Sequence, residues 1–186
     1  MKKIDIIIAI LAVLALLTVG QLMAKYPPFI INGQVASVVE TGPVMPEQSY
    51  EHPAWFKQSF LDLGDDLKES QANNKKGIIV YFGQHNCPFC KRMIEANFSQ
   101  PEIKKYITDN FDLIAIDING VEEVTDPQGN TMTEEDFALS QEANFTPALL
   151  FYNSNGDVVM KLRGFYQADV FKMALQTAVK RITNKS

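Results

Sequence analysis

Ile78-Ile79-Val80-Tyr81-Phe82 is the segment that most restricts how this chain can fold. Five consecutive apolar residues, β-branched or aromatic, stand between the polar Asn73-Asn74-Lys75-Lys76-Gly77 and a turn from Gly83 to Asn86. Such a run, bounded by turn residues, predicts a buried strand. Directly after the turn comes Cys87-Pro88-Phe89-Cys90. Proline suits the first turn of a helix, where no amide donor is needed. The predicted unit is therefore a central strand, a tight turn, and a helix that opens on a cysteine pair and runs through Met93, Ile94 and Phe98.

Around that unit helices and strands alternate. Pro53 to about Ala72 predicts a helix, because Phe56, Phe60, Leu63 and Leu67 recur at helical spacing. The same stripe assigns Trp55, Phe56 and Phe60 to the core. Pro101 to about Ile107 is a short helix and Phe111 to Ile118 a strand. Gly120 to Asn130 is polar and turn-rich, a surface insertion whose acids match no EF-hand spacing. Thr133 caps the next helix, with Asp136 at its third position. Ala148 to Tyr152 is a strand, Asn153-Ser154-Asn155-Gly156 a hairpin turn, Asp157 to Leu162 the return strand, and Asp169 to Ile182 a closing amphipathic helix. This order predicts an α/β domain with a partly parallel sheet, helices on both faces and one antiparallel hairpin at the end. The cysteines then lie at the carboxyl end of a central strand, where sites in open α/β sheets form.

The N-terminus sets the expected compartment. Met1-Lys2-Lys3 is basic, and from Ile6 to Ala24 only Thr18 and Gln21 are polar. As a helix this stretch measures roughly 28 Å, just enough to span a bilayer core. The lysines would stay inside and the remainder would be exported. A cleaved signal peptide is the competing reading, but Leu22-Met23-Ala24 is a poor small-x-small cleavage site. Either reading places the domain outside the cytoplasmic membrane. The expected organisation is residues 1–24 as anchor or signal, 25–52 as an extended tether rich in proline and glycine, and 53–186 as the domain. Within the tether, Ile30-Ile31 and Val35 to Val39 are the only stretches that suit a short strand.

Two cysteines separated by two residues close nearly the shortest loop possible. A bond across so short a loop stabilises little, so a redox role is the better reading. An inert disulfide and half of a metal site, with His85 nearby, are the alternatives. Zinc wants four ligands in structural sites, and no fourth is evident, with His52 placed beyond a helix. No metal or cofactor is expected. Thr146-Pro147 precedes a strand and invites a cis peptide. The net charge is −5 and Lys and Arg form no long run, which argues against nucleic acid as a partner.

With its buried strand, Cys-x-x-Cys, Phe145-Thr146-Pro147 and Gly164, the chain resembles the thioredoxin superfamily over residues 53 to 182. It is similar, more narrowly, to the periplasmic thioredoxins of bacterial sulfur-oxidation systems, the SoxW type. That closer likeness is carried by Pro53 to Leu63, Cys87 to Met93, and Val124-Thr125-Asp126 followed by Phe145-Thr146-Pro147. The resemblance implies a thioredoxin fold, with a mixed sheet of about four strands flanked by helices, to which the N-terminal apolar helix is added. It implies Cys87 as attacking and Cys90 as resolving cysteine, Pro147 as the cis-proline facing them, and Thr146, Pro88 and Phe89 as the residues that meet a partner. Implied partners are protein thiols and disulfides and a membrane thiol-electron carrier, acting on a monomer. The sequence departs from the family where tryptophan before the first cysteine is Asn86, Gly-Pro is Pro88-Phe89, the buried aspartate is Tyr81, and its lysine partner is Leu113. Water, His85 or Glu95 then remain as acceptors for the Cys90 proton. Lys91 and Arg92 could favour a thiolate or simply be solvated. A reductant, a disulfide oxidase or isomerase, and a non-enzymatic adaptor all fit this pattern.

Overall fold

In a computed structural model of the chain, residues 52–184 are described, together with the backbone of residues 30–31 and 34–35. The expected apolar helix 6–24 and most of the tether 25–52 lie outside the described residues. Among those described, no helix is long and apolar enough to cross a membrane. The chain divides into two compact units, Met1–Val44 and Met45–Ser186. In the first, β1 (Ile30–Ile31) pairs antiparallel with β2 (Gln34–Val35).

The second unit contains a four-stranded mixed sheet. β3 (Gly77–Gly83) lies at its centre, parallel to β4 (Phe111–Asp117) on one side and antiparallel to β7 (Ala148–Asn153) on the other. β8 (Val158–Arg163) completes the order β4-β3-β7-β8. Every residue of β3 is buried, as expected for a run covered on both faces. Alternate side chains feed two cores. Ile78, Val80 and Phe82 meet Leu63 and Leu67 of α1 (Leu63–Ala72) and Phe137 of α4 (Glu134–Ser140). Ile79 and Tyr81 face the other way. There they join Met93 of α2 (Pro88–Met93), Phe98 of the π-helical turn Ile94–Phe98, Ile103 and Ile107 of α3 (Pro101–Asn110), and Phe171 and Leu175 of α5 (Ala168–Thr183). The architecture is a thioredoxin fold, with the sheet sandwiched between helices.

Two expectations need correction. The first helix does not start at Pro53: it begins at Leu63, capped by Asp62, whose Oδ1 accepts the Asp65 N–H at 2.9 Å. The preceding segment bonds to distant chain instead. Lys57 N–H donates to Leu113 O, and Leu61 O accepts from Thr125 N–H. Because those bonds set the path, the assumed stripe breaks. Phe56 is buried and Trp55 partly so, with ring centroids 4.8 Å apart, whereas Phe60 is 102% exposed. Second, the insertion from Gly120 to Asn130 is not merely turn. β5 (Glu123–Thr125) and β6 (Thr131–Thr133) form an antiparallel hairpin. The Asp126 carboxylate closes it by accepting N–H groups from Gln128 and Asn130, each at 2.9 Å. Glu134 opens α4. It is buried, it accepts the Asp117 N–H at 3.0 Å, and a Cβ on Gly120 would fall 1.8 Å from its Oε2. Thr133 caps α4 through the Asp136 N–H, as the sequence predicts.

Candidate active site

The turn that leaves β3 uses a left-handed residue, Asn86, with φ 57°. Asparagine tolerates this conformation better than most side chains. The reversal delivers Cys87 in extended backbone at the N-cap of α2. Its Sγ accepts the Cys90 N–H at 3.0 Å, in the role that a serine or aspartate oxygen usually plays. Pro88 occupies the first helical position, where its missing N–H is no loss. One turn on, Cys90 is joined to Cys87 by a disulfide, with Cα atoms 5.2 Å apart.

The two cysteines differ in exposure. Cys87 retains 7% exposure and Cys90 none. Before β7 the Thr146–Pro147 peptide is cis. Thr146 Oγ1 donates to Cys87 Sγ at 3.2 Å, so the segment before β7 and the start of α2 meet at one sulfur. Pro147 is buried. Phe89, between the cysteines, is 58% exposed, and Phe145, next to Thr146, is 75% exposed. In the sequence Phe145 stands out only as part of the Phe145-Thr146-Pro147 motif. Its exposure beside the disulfide is a tertiary property that no local pattern shows.

The surrounding ionisable groups are sparse. His85 lies on the turn two residues before Cys87, with Nε2 3.7 Å from Asp117 Oδ2. Glu95 faces solvent and sits 3.8 Å from Lys91. Arg92 is not merely solvated: its guanidinium lies 4.7 Å from the centroid of the Phe165 ring. Tyr81 and Leu113 are both in the apolar core, Tyr81 edge-on to Phe98 at 5.5 Å and to Phe56 at 6.0 Å. His52, set apart by the sequence reading, comes to Tyr81, its ring 6.1 Å away and stacked 5.7 Å from Phe56. The residue is exposed, yet desolvation holds the imidazole below its usual range. Asp117 opposes that shift and His85 adds to it.

A sulfur at a helix N-terminus, receiving an N–H and an O–H, is a site suited to carrying negative charge. Its near neighbour, enclosed and covalently bonded to it, is suited to displacing whatever that sulfur attacks.

A family model described as "Thioredoxin-like domain" matches residues 63–178. No curated protein matches the sequence. Among solved structures, a thioredoxin from Thermus thermophilus is 21% identical, covering 63% of this chain and 84% of its own, with a TM-score of 0.49. A structure described as DsbH oxidoreductase is 15% identical over 72% of this chain and 92% of its own, at a TM-score of 0.49. The reduced C-terminal domain of DsbD from Neisseria meningitidis is 22% identical over 60% and 89%, at 0.44.

Proposed function

The chain belongs to the thioredoxin-like domain family, and on that premise we propose that it is an extracytoplasmic thiol–disulfide oxidoreductase that reduces disulfides of partner proteins. The observation that carries this reading is the asymmetry of the pair. Cys87 keeps a small exposed fraction and has two hydrogen-bond donors aimed at its Sγ, while Cys90 has no exposed surface.

In the reduced protein both donors favour the Cys87 thiolate over the thiol. The thiolate attacks one sulfur of a partner disulfide, forming a mixed disulfide as the partner's other sulfur leaves as thiolate. Cys90 then gives up its proton and attacks Cys87 Sγ. The partner's second thiolate departs, two electrons have passed to the partner, and the Cys87–Cys90 disulfide remains. His85, beside Asp117 at 3.7 Å, is the candidate to take that proton. A thiol donor of the membrane-carrier class returns the pair to the dithiol. Exposed Phe89, between the cysteines, and Phe145, next to Thr146, offer apolar contact to the partner, together with Pro88 and Thr146. No cofactor is required, since all the electrons reside in sulfur.

The location outside the cytoplasm rests on Met1-Lys2-Lys3 and the apolar Ile6 to Ala24. The likeness to periplasmic thioredoxins of sulfur-oxidation systems supports the same location and the reducing direction. Fusing residues 1–60 to alkaline phosphatase tests the location, because that reporter folds only after export. The activity is tested by insulin reduction with the full chain, in which Cys87→Ser must lose turnover. A redox titration of the pair against glutathione tests direction. A potential of about −180 mV or above would turn the reading from reductant to disulfide oxidase.

A further inference from the structure

The site is made by two segments that are far apart in the chain, the start of α2 and Thr146-Pro147. A third segment touches both. Gly164, immediately after β8, donates its N–H to Pro147 O at 2.7 Å. Its φ of +85° is one that glycine adopts without strain, and it reverses the chain there. The next two residues reach the cysteine helix. Phe165 takes the Arg92 guanidinium on its ring, and Tyr166 O accepts the Asn97 Nδ2–H at 3.0 Å.

Asn97 is a costly residue for that place. It lies in the π-helical turn that continues α2 and is fully buried, with Nδ2 also 3.0 Å from Met93 Sδ. Its Oδ1 is buried with no hydrogen-bond partner among the described residues. An unsatisfied buried amide oxygen opposes folding, whereas leucine would fill nearly the same volume beside Phe98 and Met93 without that penalty. Packing alone would favour leucine there, so the amide must contribute through its donor.

We propose that Asn97 is a positioning residue of the redox centre, fixing the cysteine helix against the 164–166 segment so that Thr146 Oγ1 stays within reach of Cys87 Sγ. The inference rests on the thiol–disulfide reading of the site. The link runs from Asn97 to Tyr166, back along the chain to Gly164, across to Pro147 and so to its neighbour Thr146. The last bond in it spans 3.2 Å from hydroxyl oxygen to sulfur. Drift of the helix away from Thr146 lengthens this bond and weakens its hold on the Cys87 thiolate.

The test uses the reduced full chain and four proteins: wild type, Asn97→Leu, Thr146→Val and the double variant. The Cys87 pKa is read from thiolate ultraviolet absorbance, and stability from thermal melting. Asn97→Leu should raise the Cys87 pKa by about half a unit or more while leaving the melting temperature unchanged or higher. The double variant should shift no further than Thr146→Val alone, because both act through one hydrogen bond. A Cys87 pKa unmoved by Asn97→Leu overturns the proposal, as do two shifts that add in full. Should Asn97→Leu fail to fold, Arg92→Lys weakens the other clamp while keeping the charge. Its shift must again be absent in the Thr146→Val background, or the proposal falls. Loss of the underlying reading looks different: wild type itself would reduce no insulin.

Discussion

Thr146 Oγ1 and Cys87 Sγ, 59 residues apart in the chain, stand 3.2 Å from one another. This contact makes the residue before Pro147 a donor to the sulfur proposed to react. Hydrogen bonds to charged acceptors contribute about 1.5–3 kcal/mol, or about 1–2 pKa units. Thr146→Val, which keeps the shape and deletes the hydroxyl, should raise the Cys87 pKa by that order in a thiolate absorbance titration. An unchanged value would mean that the hydroxyl turns away once the disulfide opens.

The difference in access between the sulfurs predicts an order of reaction. In reduced protein under native conditions, iodoacetamide should modify Cys87 and leave Cys90, which has no exposed surface. Cys90→Ala should accumulate a mixed disulfide with an oxidised protein substrate, detectable by mass spectrometry, because nothing remains to resolve it. Preferential alkylation of Cys90 would reverse the assigned roles.

Phe98 and Phe60 should respond oppositely to truncation. Phe98 meets Trp55, Phe56, Tyr81 and Phe171 with ring centroids 5.3–5.9 Å away. Phe98→Ala should lower stability in urea unfolding by about 3–5 kcal/mol. Phe60→Ala, at a fully exposed position, should change it by less than about 0.5 kcal/mol. Equal effects would restore the continuous helical stripe that the sequence suggests.

Glu134 gives a pH dependence with a definite sign. Burial pushes its carboxyl above the ordinary glutamate range, against the opposing Asp117 N–H. A raised folded pKa makes the protonated form the one that favours folding. Its contribution is full below the unfolded pKa of about 4.3 and is lost as pH rises through the folded value. The melting temperature of Glu134→Gln minus that of wild type should therefore be larger at about pH 7 than at about pH 4. A difference that stays flat, or shrinks toward neutral pH, would refute this.

Much of the site was legible because its determinants are local. Pro88 fixes a helix start and two-residue spacing stacks the cysteines, so the N-cap geometry of Cys87 could be read directly. The apolar run of β3 and the Thr133 cap were equally local. What could not be read depends on chain closure. Residues 53–62 satisfy their backbone through Leu113 and Thr125 rather than through a helix, which separates Phe56 from Phe60. The β5–β6 hairpin has one buried apolar residue, Val124, too weak a pattern to register. The tie from Asn97 to Tyr166 spans 69 residues, and His52 meets Tyr81 only because the N-terminal segment folds back along the domain.

The enclosure of Cys90 behind Cys87 has a further consequence under oxidative stress. A peroxide can reach the outer sulfur and convert it to a sulfenic acid. The inner thiol, held against it, condenses with that group, releases water and forms the disulfide before a second oxidant arrives. The irreversible sulfinic and sulfonic states are thus bypassed, and damage at this site ends in the same disulfide that turnover produces, one a thiol donor can reopen.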